Sequence, residues 1–236
     1  MSDQLKSIVF TAVVALVCSL MLTAAASGLK ERKLRNVAVD RQKNILKAVG
    51  LVDLGEKVPV DRIERLYGEN IRCYSLDGTG DIVATDSNDG GLPVCFYVKE
   101  GQPAAYILPV NSRGLWGKIH GYLAIENDGK TVAGFSVYSH NETPGLGGEI
   151  EKPWFQKNFI GKKIVDASGN FTPVRIAKGK AAEVVAPDKL ANVVDGISGA
   201  TLTGKYLSGG LKDLLQEYEG LSKQFRSGAV ELPAGS

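Results

Sequence analysis

The N-terminal thirty residues hold the feature that most restricts how this chain can fold. No charged residue lies between Lys6 and Lys30, and the stretch between them, SIVFTAVVALVCSLMLTAAASGL, is almost entirely apolar. At about 1.5 Å per residue, a helix of this length crosses about 30 Å of hydrocarbon. The sequence therefore predicts a short N-terminal tail over residues 1–6 and a single transmembrane helix over residues 7–29.

A cleaved signal peptide is the alternative, because residues 24–26 are three alanines that a peptidase could accept. The apolar run exceeds the usual signal-peptide core of about 7–15 residues, and the segment before it is barely basic. We therefore favour a permanent anchor.

The charges around the span bear on its orientation. Four basic residues follow it within a few positions: Lys30, Arg32, Lys33 and Arg35. Before it, only Lys6 and the α-amino group offset Asp3. The positive-inside rule would therefore place the larger part of the chain in the cytoplasm.

Composition excludes several classes of function. A net charge of +2, with no basic stripe among aromatics, does not favour nucleic-acid binding. Two histidines and three cysteines, without a Cys-x-x-Cys pair, do not predict a metal site. We find no hydrolase triad or dinucleotide fingerprint and expect no catalytic residue, so His120 and His140 are interpreted as surface or structural residues. Cys73 and Cys95 could form a disulfide in an oxidising compartment, but two separate core residues are the preferred interpretation.

Residues 30–70 are expected to form a helical membrane-proximal segment. Hydrophobic residues at helical spacing predict one helix over 36–52, with Gly50 and Gly55 near its end. Asp61 is the expected N-cap of a second helix over 62–70.

Residues 71–220 are expected to form the main domain. Residues 77–92 are rich in Gly, Asp, Asn and Ser and are interpreted as solvated turns without a Ca²⁺-binding loop. Short β-branched or aromatic runs predict five strands: Cys95–Val98, Ala105–Val110, Tyr122–Glu126, Thr131–Ser139 and Ala181–Val185. Residues 127–130 suit a hairpin turn, and helices are expected over Pro153–Phe159 and 203–219. The prediction is an α+β domain on a mainly antiparallel sheet, with a flexible tail over residues 221–236.

The segment DGISGATLTG, residues 195–204, is the first candidate site. Its small residues let an anionic ligand approach the backbone, and the amides at the start of the following helix favour an anion. A helix start that is simply capped by Ser198 or Thr201 is the alternative.

Two further segments are rich in turn-forming residues. HNETPGLGGEI, residues 140–150, follows a strand and contains Pro144 between polar residues and glycines. SRGLWGKIHGYLAI, residues 112–125, places Trp116 near two glycines, where it could cover a planar ligand or equally begin a buried strand.

The three segments together resemble the FMN-binding domain found in the C subunit of the bacterial Na⁺-translocating NADH:quinone oxidoreductases. The resemblance covers about residues 1–220. In that family the pattern Asp-Gly-x-Ser-Gly-Ala-Thr is recognised by a flavin transferase, which joins FMN through its phosphate to the final threonine. The resemblance therefore implies covalent FMN on Thr201, with Thr203 as an unmodified neighbour.

The resemblance also implies the residues around the flavin. Those near the phosphate would be Ser198, Gly199, Ala200, Leu202 and Thr203, and Asp195 would be a recognition position at the start of the same motif. The loop lining the flavin would contain Glu142, Thr143, Gly145, Leu146 and Gly147. Gly114, Leu115 and Trp116 would lie near the isoalloxazine ring or the ribityl chain.

The function implied is that of a membrane-anchored flavoprotein which relays electrons one at a time. Its expected partners are the other subunits of the complex, the flavin transferase and membrane lipid. Family members carry this domain on the periplasmic side of the inner membrane, in conflict with the basic residues after the span. Two alternatives stay open: the G subunit of an Rnf-type ferredoxin:NAD⁺ oxidoreductase, and a stand-alone tethered module that binds FMN noncovalently. The Gly-Leu-Trp-Gly run favours the quinone-reductase subunit over the first of these.

Overall fold

The computed structural model describes residues 2–78, 80–83, 91–230 and 232–233. The chain divides into two compact units, Met1–Asp40 and Arg41–Ser236. This division differs from the expected boundaries, which set residues 30–70 apart as a membrane-proximal segment. We describe each unit by itself.

Helix α1 spans Asp3–Ala48; its residues up to Asp40 form the first unit, and its last eight residues belong to the second unit. Its apolar part is exposed throughout, and by length and composition it can cross a membrane. The separate helix expected over 36–52 is instead the last part of α1, since the charged residues after the span are themselves good helix formers. Gly50, with a φ of +73°, lies just beyond the end of α1, as the sequence predicted.

A six-stranded antiparallel sheet forms the centre of the second unit, in the order β2-β1-β3-β4-β5-β6. The strands are β1 Ile71–Leu76, β2 Ile82–Val83, β3 Leu92–Lys99, β4 Gln102–Arg113, β5 Lys118–Glu126 and β6 Val132–Ser139. Four of the predicted strands lie within or along β3–β6, and the hairpin turn between β5 and β6 is confirmed. Strands β1 and β2 were not predicted. The stretch 77–92, expected to form turns, contains β2 and the first residue of β3, and its residues 79 and 84–90 lie outside the described residues.

Strand β1 also corrects the interpretation of the cysteines. Cys73 lies directly opposite Cys95 in the β1–β3 ladder, with 4.0 Å between the Cα atoms. The two form a disulfide, so the preference for two separate core residues was wrong. The preference was wrong because β1 and its pairing with β3 were not predicted, and sequence separation alone does not show that two residues face each other on neighbouring strands.

One face of the sheet packs on two C-terminal helices, α5 Thr201–Glu217 and α6 Glu219–Ser227. Leu207, Leu211 and Leu215 bury one stripe of α5, as their spacing predicted. The flexible tail expected from residue 221 is wrong for its first part, because residues up to Ser227 belong to helix α6 and Leu221 and Phe225 are buried. The Phe225 ring stacks on Tyr106, with 4.6 Å between ring centroids.

The opposite face of the sheet is covered by the end of α1 and by α2, Val60–Asn70. The hydroxyl of Ser136 donates to Oδ1 of Asn44 at 2.7 Å, and a Cβ on Gly134 would collide with the carbonyl oxygen of Ala48. Pro59 rather than Asp61 precedes α2, and no side chain caps this helix within the described part of the chain. Asp61 instead lies in the first turn, where its charge favours the helix dipole.

Residues 140–200 carry short elements beside β6. A 3₁₀ helix over Gly147–Glu151 leads into α3, Pro153–Lys157, where the predicted helix begins with its proline. Strands β7, Arg175–Ile176, and β8, Val193–Val194, pair in parallel. The strand expected over Ala181–Val185 is wrong: Ala181–Val184 forms helix α4, because alanine favours a helix and the Asp195 carboxylate accepts the Ala181 N–H at 2.7 Å.

Candidate functional site

The three candidate segments meet at one buried carboxylate, Glu142, which is 4% exposed. Its Oε1 accepts the backbone N–H of Trp116 at 2.9 Å. Its Oε2 accepts a hydrogen bond from the hydroxyl of Thr203. One side chain thus joins the loop after β4, the loop after β6 and the first turn of α5.

Glycines allow this close approach. A Cβ on Gly147 would lie 2.5 Å from the Thr203 hydroxyl and 2.8 Å from Glu142 Oε2. A Cβ on Gly114 would lie 2.6 Å from Glu142 Oε1. Neither position accepts a side chain without movement of the carboxylate, so both glycines are required by packing around Glu142.

Thr201 is the first residue of α5, and its side chain is exposed. Ala200 precedes it, and no side chain in the described residues caps the start of α5. The alternative of a helix start capped by Ser198 or Thr201 is therefore wrong. Helix starts leave backbone N–H groups without intrahelical partners, and those groups favour an anion. The Thr201 hydroxyl lies where such an anion would be bound.

Thr203 is placed very differently from Thr201. Two residues of a helix differ by about 200° around the axis, so the two side chains point to opposite sides of α5. Thr203 is 2% exposed and engaged with Glu142, whereas Thr201 faces solvent. Of the two threonines, Thr201 is exposed and Thr203 is buried.

The loop before α5 is shaped by Gly199 and Asp195. Gly199 has a φ of +74°, and a Cβ there would lie 2.8 Å from Cδ2 of Leu146. This contact brings the tip of the 140–147 loop against the segment that precedes Thr201. Asp195, through its bond to the Ala181 N–H, fixes the other end of the same segment. Ser198 is exposed between them.

The loop over residues 140–147 is held by its own backbone. The carbonyl of Thr143 accepts the N–H groups of Leu146 at 3.1 Å and Gly148 at 2.9 Å, with Gly145 at a φ of +75° inside the turn. His140 Nδ1 accepts the N–H of Glu142 at 3.1 Å. His140 therefore supports the turn, in agreement with its interpretation as structural.

Glu151 lies behind this loop and contacts two basic side chains. His140 Nε2 lies 3.4 Å from Glu151 Oε2, and Lys152 donates to the other oxygen of Glu151 at 3.0 Å. The hydrogen bond from Lys152 lowers the pKa of Glu151, and burial only partly opposes it.

The three candidate segments carry four large exposed apolar side chains. Their exposed fractions are 41% for Leu115, 68% for Trp116, 43% for Leu146 and 49% for Leu202. Trp116 is thus a surface residue and does not begin a buried strand. A cavity of about 500 Å³ beside it is lined by residues 111–118. Two larger cavities have volumes of about 630 and 650 Å³, and the second shares Asn111, Ser112 and Arg113 with this one. Thr201 lines none of the three.

Some neighbours of the site were not predicted. Lys205 lies one helical turn after Thr201, on the same side of α5, and is exposed. Arg113 stacks over the ring of Tyr206 at 5.2 Å. The i to i+4 spacing from Thr201 could have identified Lys205 in the sequence, whereas the Arg113–Tyr206 pair depends on the tertiary fold. The described residues contain no group of His, Cys, Asp and Glu that could hold a metal ion.

Comparisons with known proteins bear on these residues. A family model described as an FMN-binding domain matches residues 114–216, a range that contains all three loops. The chain is 32% identical to the C subunit of the Na⁺-translocating NADH-quinone reductase of Vibrio campbellii, over 88% of this chain and 89% of that protein. It is 30% identical to the same subunit from Yersinia pestis, over 96% and 94%. The crystal structure of the corresponding C subunit from Parabacteroides distasonis superposes with a TM-score of 0.70 at 30% identity, covering 82% of this chain and 96% of that one.

Proposed function

We propose a function from one premise: this chain belongs to the family of C subunits of Na⁺-translocating NADH-quinone reductases. It is a membrane-anchored, FMN-binding electron-transfer subunit of such a complex. We infer further that FMN is attached covalently to Thr201, by a phosphoester between the FMN phosphate and the threonine hydroxyl. The names of the relatives favour the C subunit of a quinone reductase over the G subunit of an Rnf-type oxidoreductase.

The observation that carries the covalent proposal is the contrast between the two threonines of the motif. Thr201 presents a solvent-exposed hydroxyl at an uncapped helix start, while the Thr203 hydroxyl is buried against Glu142. A transferase that approaches from solvent reaches only the first of them. This contrast supports Thr201 as the attachment point, independently of the resemblance in sequence.

The surroundings fit an attached FMN. The free N–H groups at the start of α5 and the ammonium of Lys205 would face a phosphodiester on Thr201, and both favour its negative charge. The small residues Ser198, Gly199 and Ala200 leave room for the phosphate. Leu115, Trp116, Leu146 and Leu202 provide exposed apolar surface for a flavin.

The protein groups position and tune the cofactor, and FMN, when bound, supplies the redox chemistry. A covalent link means that noncovalent contacts do not have to hold the flavin, so a shallow and open site is sufficient. Openness suits an electron carrier, because one edge of the flavin stays accessible to its partners. We assign no catalytic residue of this chain's own, and its activity requires the other subunits of the complex.

We place the second unit in the periplasm. The Cys73–Cys95 disulfide supports this orientation, because disulfides form and persist in oxidising compartments such as the bacterial periplasm. A flavin transferase acting in that compartment would have access to Thr201. The basic residues after the span favour the opposite orientation, and we give the disulfide more weight because the positive-inside rule is statistical.

Attachment is tested by co-expressing the full chain with a flavin transferase and measuring its intact mass after denaturation. Wild type and Thr203→Val should gain the mass of FMN minus water, whereas Thr201→Val should not. Flavin that stays attached in Thr201→Val would show that another residue is modified. Flavin that leaves every variant on denaturation would favour the noncovalent alternative.

Orientation is tested with a membrane-impermeant maleimide in intact cells. Lys99→Cys, at the exposed β3–β4 turn, should be labelled before lysis. The matched control Lys6→Cys, on the other side of the span, should be labelled only after lysis. The reverse pattern would place the second unit in the cytoplasm.

A further inference from the structure

The basic residues that follow the span remain unexplained by a periplasmic orientation. Lys30, Arg32, Lys33 and Arg35 are all exposed on α1, in the unit Met1–Asp40. With Glu31 they give residues 30–35 a net charge of +3, from four cations and one carboxylate. The other end of the span carries Asp3 against Lys6 and the α-amino group, so the positive charge is concentrated at one end.

Helix geometry distributes these four cations around the axis. Taking Lys30 as zero, Arg35, Arg32 and Lys33 lie at about 140°, 200° and 300°. Their axial spread is only about 7.5 Å, at 1.5 Å per residue. They therefore form a belt over about 220° of the helix circumference, immediately after the last apolar turn, and Glu31 lies in the remaining sector. We call residues 30, 32, 33 and 35 the basic belt.

A belt has a different binding preference from a stripe. A protein partner contacts one face of a helix, so it selects for charges on that face. Lipid headgroups surround a transmembrane helix at the point where it leaves the hydrocarbon, and they can meet charges that point in every direction. Long Lys and Arg side chains reach headgroup level while their stems lie along apolar surface.

We infer that the basic belt binds the phosphates of anionic phospholipid headgroups in the leaflet from which the second unit emerges. Each Lys or Arg next to such a surface strengthens its attraction to anionic lipid, and a zwitterionic surface does not provide this attraction. Lipid binding gives the belt a role on either side of the membrane. The presence of these basic residues is then compatible with a periplasmic second unit. This inference rests on the proposed membrane anchor.

The test uses the full-length flavinylated chain, purified in detergent, and native mass spectrometry with added phosphatidylglycerol or phosphatidylcholine. One variant replaces the belt: Lys30→Gln, Arg32→Gln, Lys33→Gln and Arg35→Gln. A matched control removes four exposed cations from the second unit: Lys99→Gln, Lys157→Gln, Lys189→Gln and Lys212→Gln. Both variants change the net charge equally, so they separate the position of the charges from their number.

Wild type and the control should prefer phosphatidylglycerol over phosphatidylcholine by at least about tenfold, from contributions of several cations. The belt variant should bind the two lipids about equally and still carry FMN. Equal binding of both lipids by wild type would overturn the inference, and so would an equal loss of preference in the control variant. A separate test addresses the membrane anchor: if alkaline carbonate extracts wild type from membranes, the anchor is refuted. The lipid comparison in detergent does not test the anchor, so the two failures can be distinguished.

Discussion

Replacement of Thr203 by valine should destabilise the protein without removing the flavin, the opposite of the result expected for Thr201. Valine has nearly the shape of threonine, so packing around position 203 is preserved. The hydroxyl that donates to Glu142 Oε2 is lost, and a buried carboxylate oxygen is left without that partner. Loss of a hydrogen bond to a charged group costs about 2 kcal/mol.

The measurement is thermal and urea unfolding of the chain expressed without the transferase, so that FMN does not contribute to stability. For a unit of the size of Arg41–Ser236, about 2 kcal/mol corresponds to a decrease in Tm of about 6 °C. Thr201→Val, at an exposed position that caps nothing, should change stability by less than about 0.5 kcal/mol.

A double-mutant cycle identifies the origin of the loss. Glu142→Leu removes both acceptors and should itself be destabilising. In that background Thr203→Val should cost at least about 1 kcal/mol less than in wild type, because the two residues share one interaction. Strictly additive losses, or equal stability of the two threonine variants, would refute the assignment of Thr203 as the buried partner of Glu142.

Three further outcomes are expected. The double variant Cys73→Ala, Cys95→Ala should have a free energy of unfolding about 3 kcal/mol lower than wild type under non-reducing conditions, because the disulfide closes a loop across a separation of 22 residues. Reductant should abolish the difference between the two proteins, and a difference that persists in reductant would contradict the loop-closure explanation. Phe225→Ala should cost about 3–5 kcal/mol in urea unfolding, because its ring is 7% exposed and stacks on Tyr106, and a cost below about 1 kcal/mol would mean that α6 is not part of the core. Burial raises the pKa of Asp128, but hydrogen bonds from Thr131 and the N–H of residue 130 outweigh this effect and hold the pKa below its ordinary value of 3.8. The ionised Asp128 carboxylate therefore contributes its full stabilisation of the fold above pH 3.8, and this contribution is lost as the pH falls through the lower pKa of the folded state. Asp128→Asn should flatten the stability curve in this acid range, and an unchanged slope between pH 4 and pH 2, about the range where carboxylates titrate, would contradict this.

Local patterns in the sequence were sufficient for most of the regular structure. The β-branched and aromatic runs of β3–β6 and the leucine spacing of α5 could each be recognised within a single element. The short strand β1 offers little periodicity, and its place in the sheet is set by pairing with β3 far along the chain. The disulfide could not be predicted for the same reason.

The errors near residues 181 and 221 have different causes. Ala181–Val184 forms a helix because the Asp195 carboxylate accepts an N–H at its start, a contact across fourteen residues that no local window contains. Helix α6 follows α5 almost without a break, and its short amphipathic pattern does not by itself distinguish a packed helix from a tail. Its burial depends on the space left beside Tyr106 by the sheet.

The candidate site could be located from the sequence but not explained by it. The glycine-rich segments and the threonine motif were apparent along the chain. That they converge on Glu142, and that Thr203 is buried while Thr201 is exposed, follows only from the fold. The three segments lie far apart along the chain, and no spacing rule brings them together.

Fragmentation of one peptide tests the attachment of FMN to Thr201 most directly. Trypsin releases residues 190–205, which contain both Thr201 and Thr203, from the chain co-expressed with its flavin transferase. We predict that this peptide carries the mass of FMN minus water, and that fragment ions place the addition on Thr201. An addition on Thr203, or an unmodified peptide from a chain that retains flavin after denaturation, would contradict this assignment.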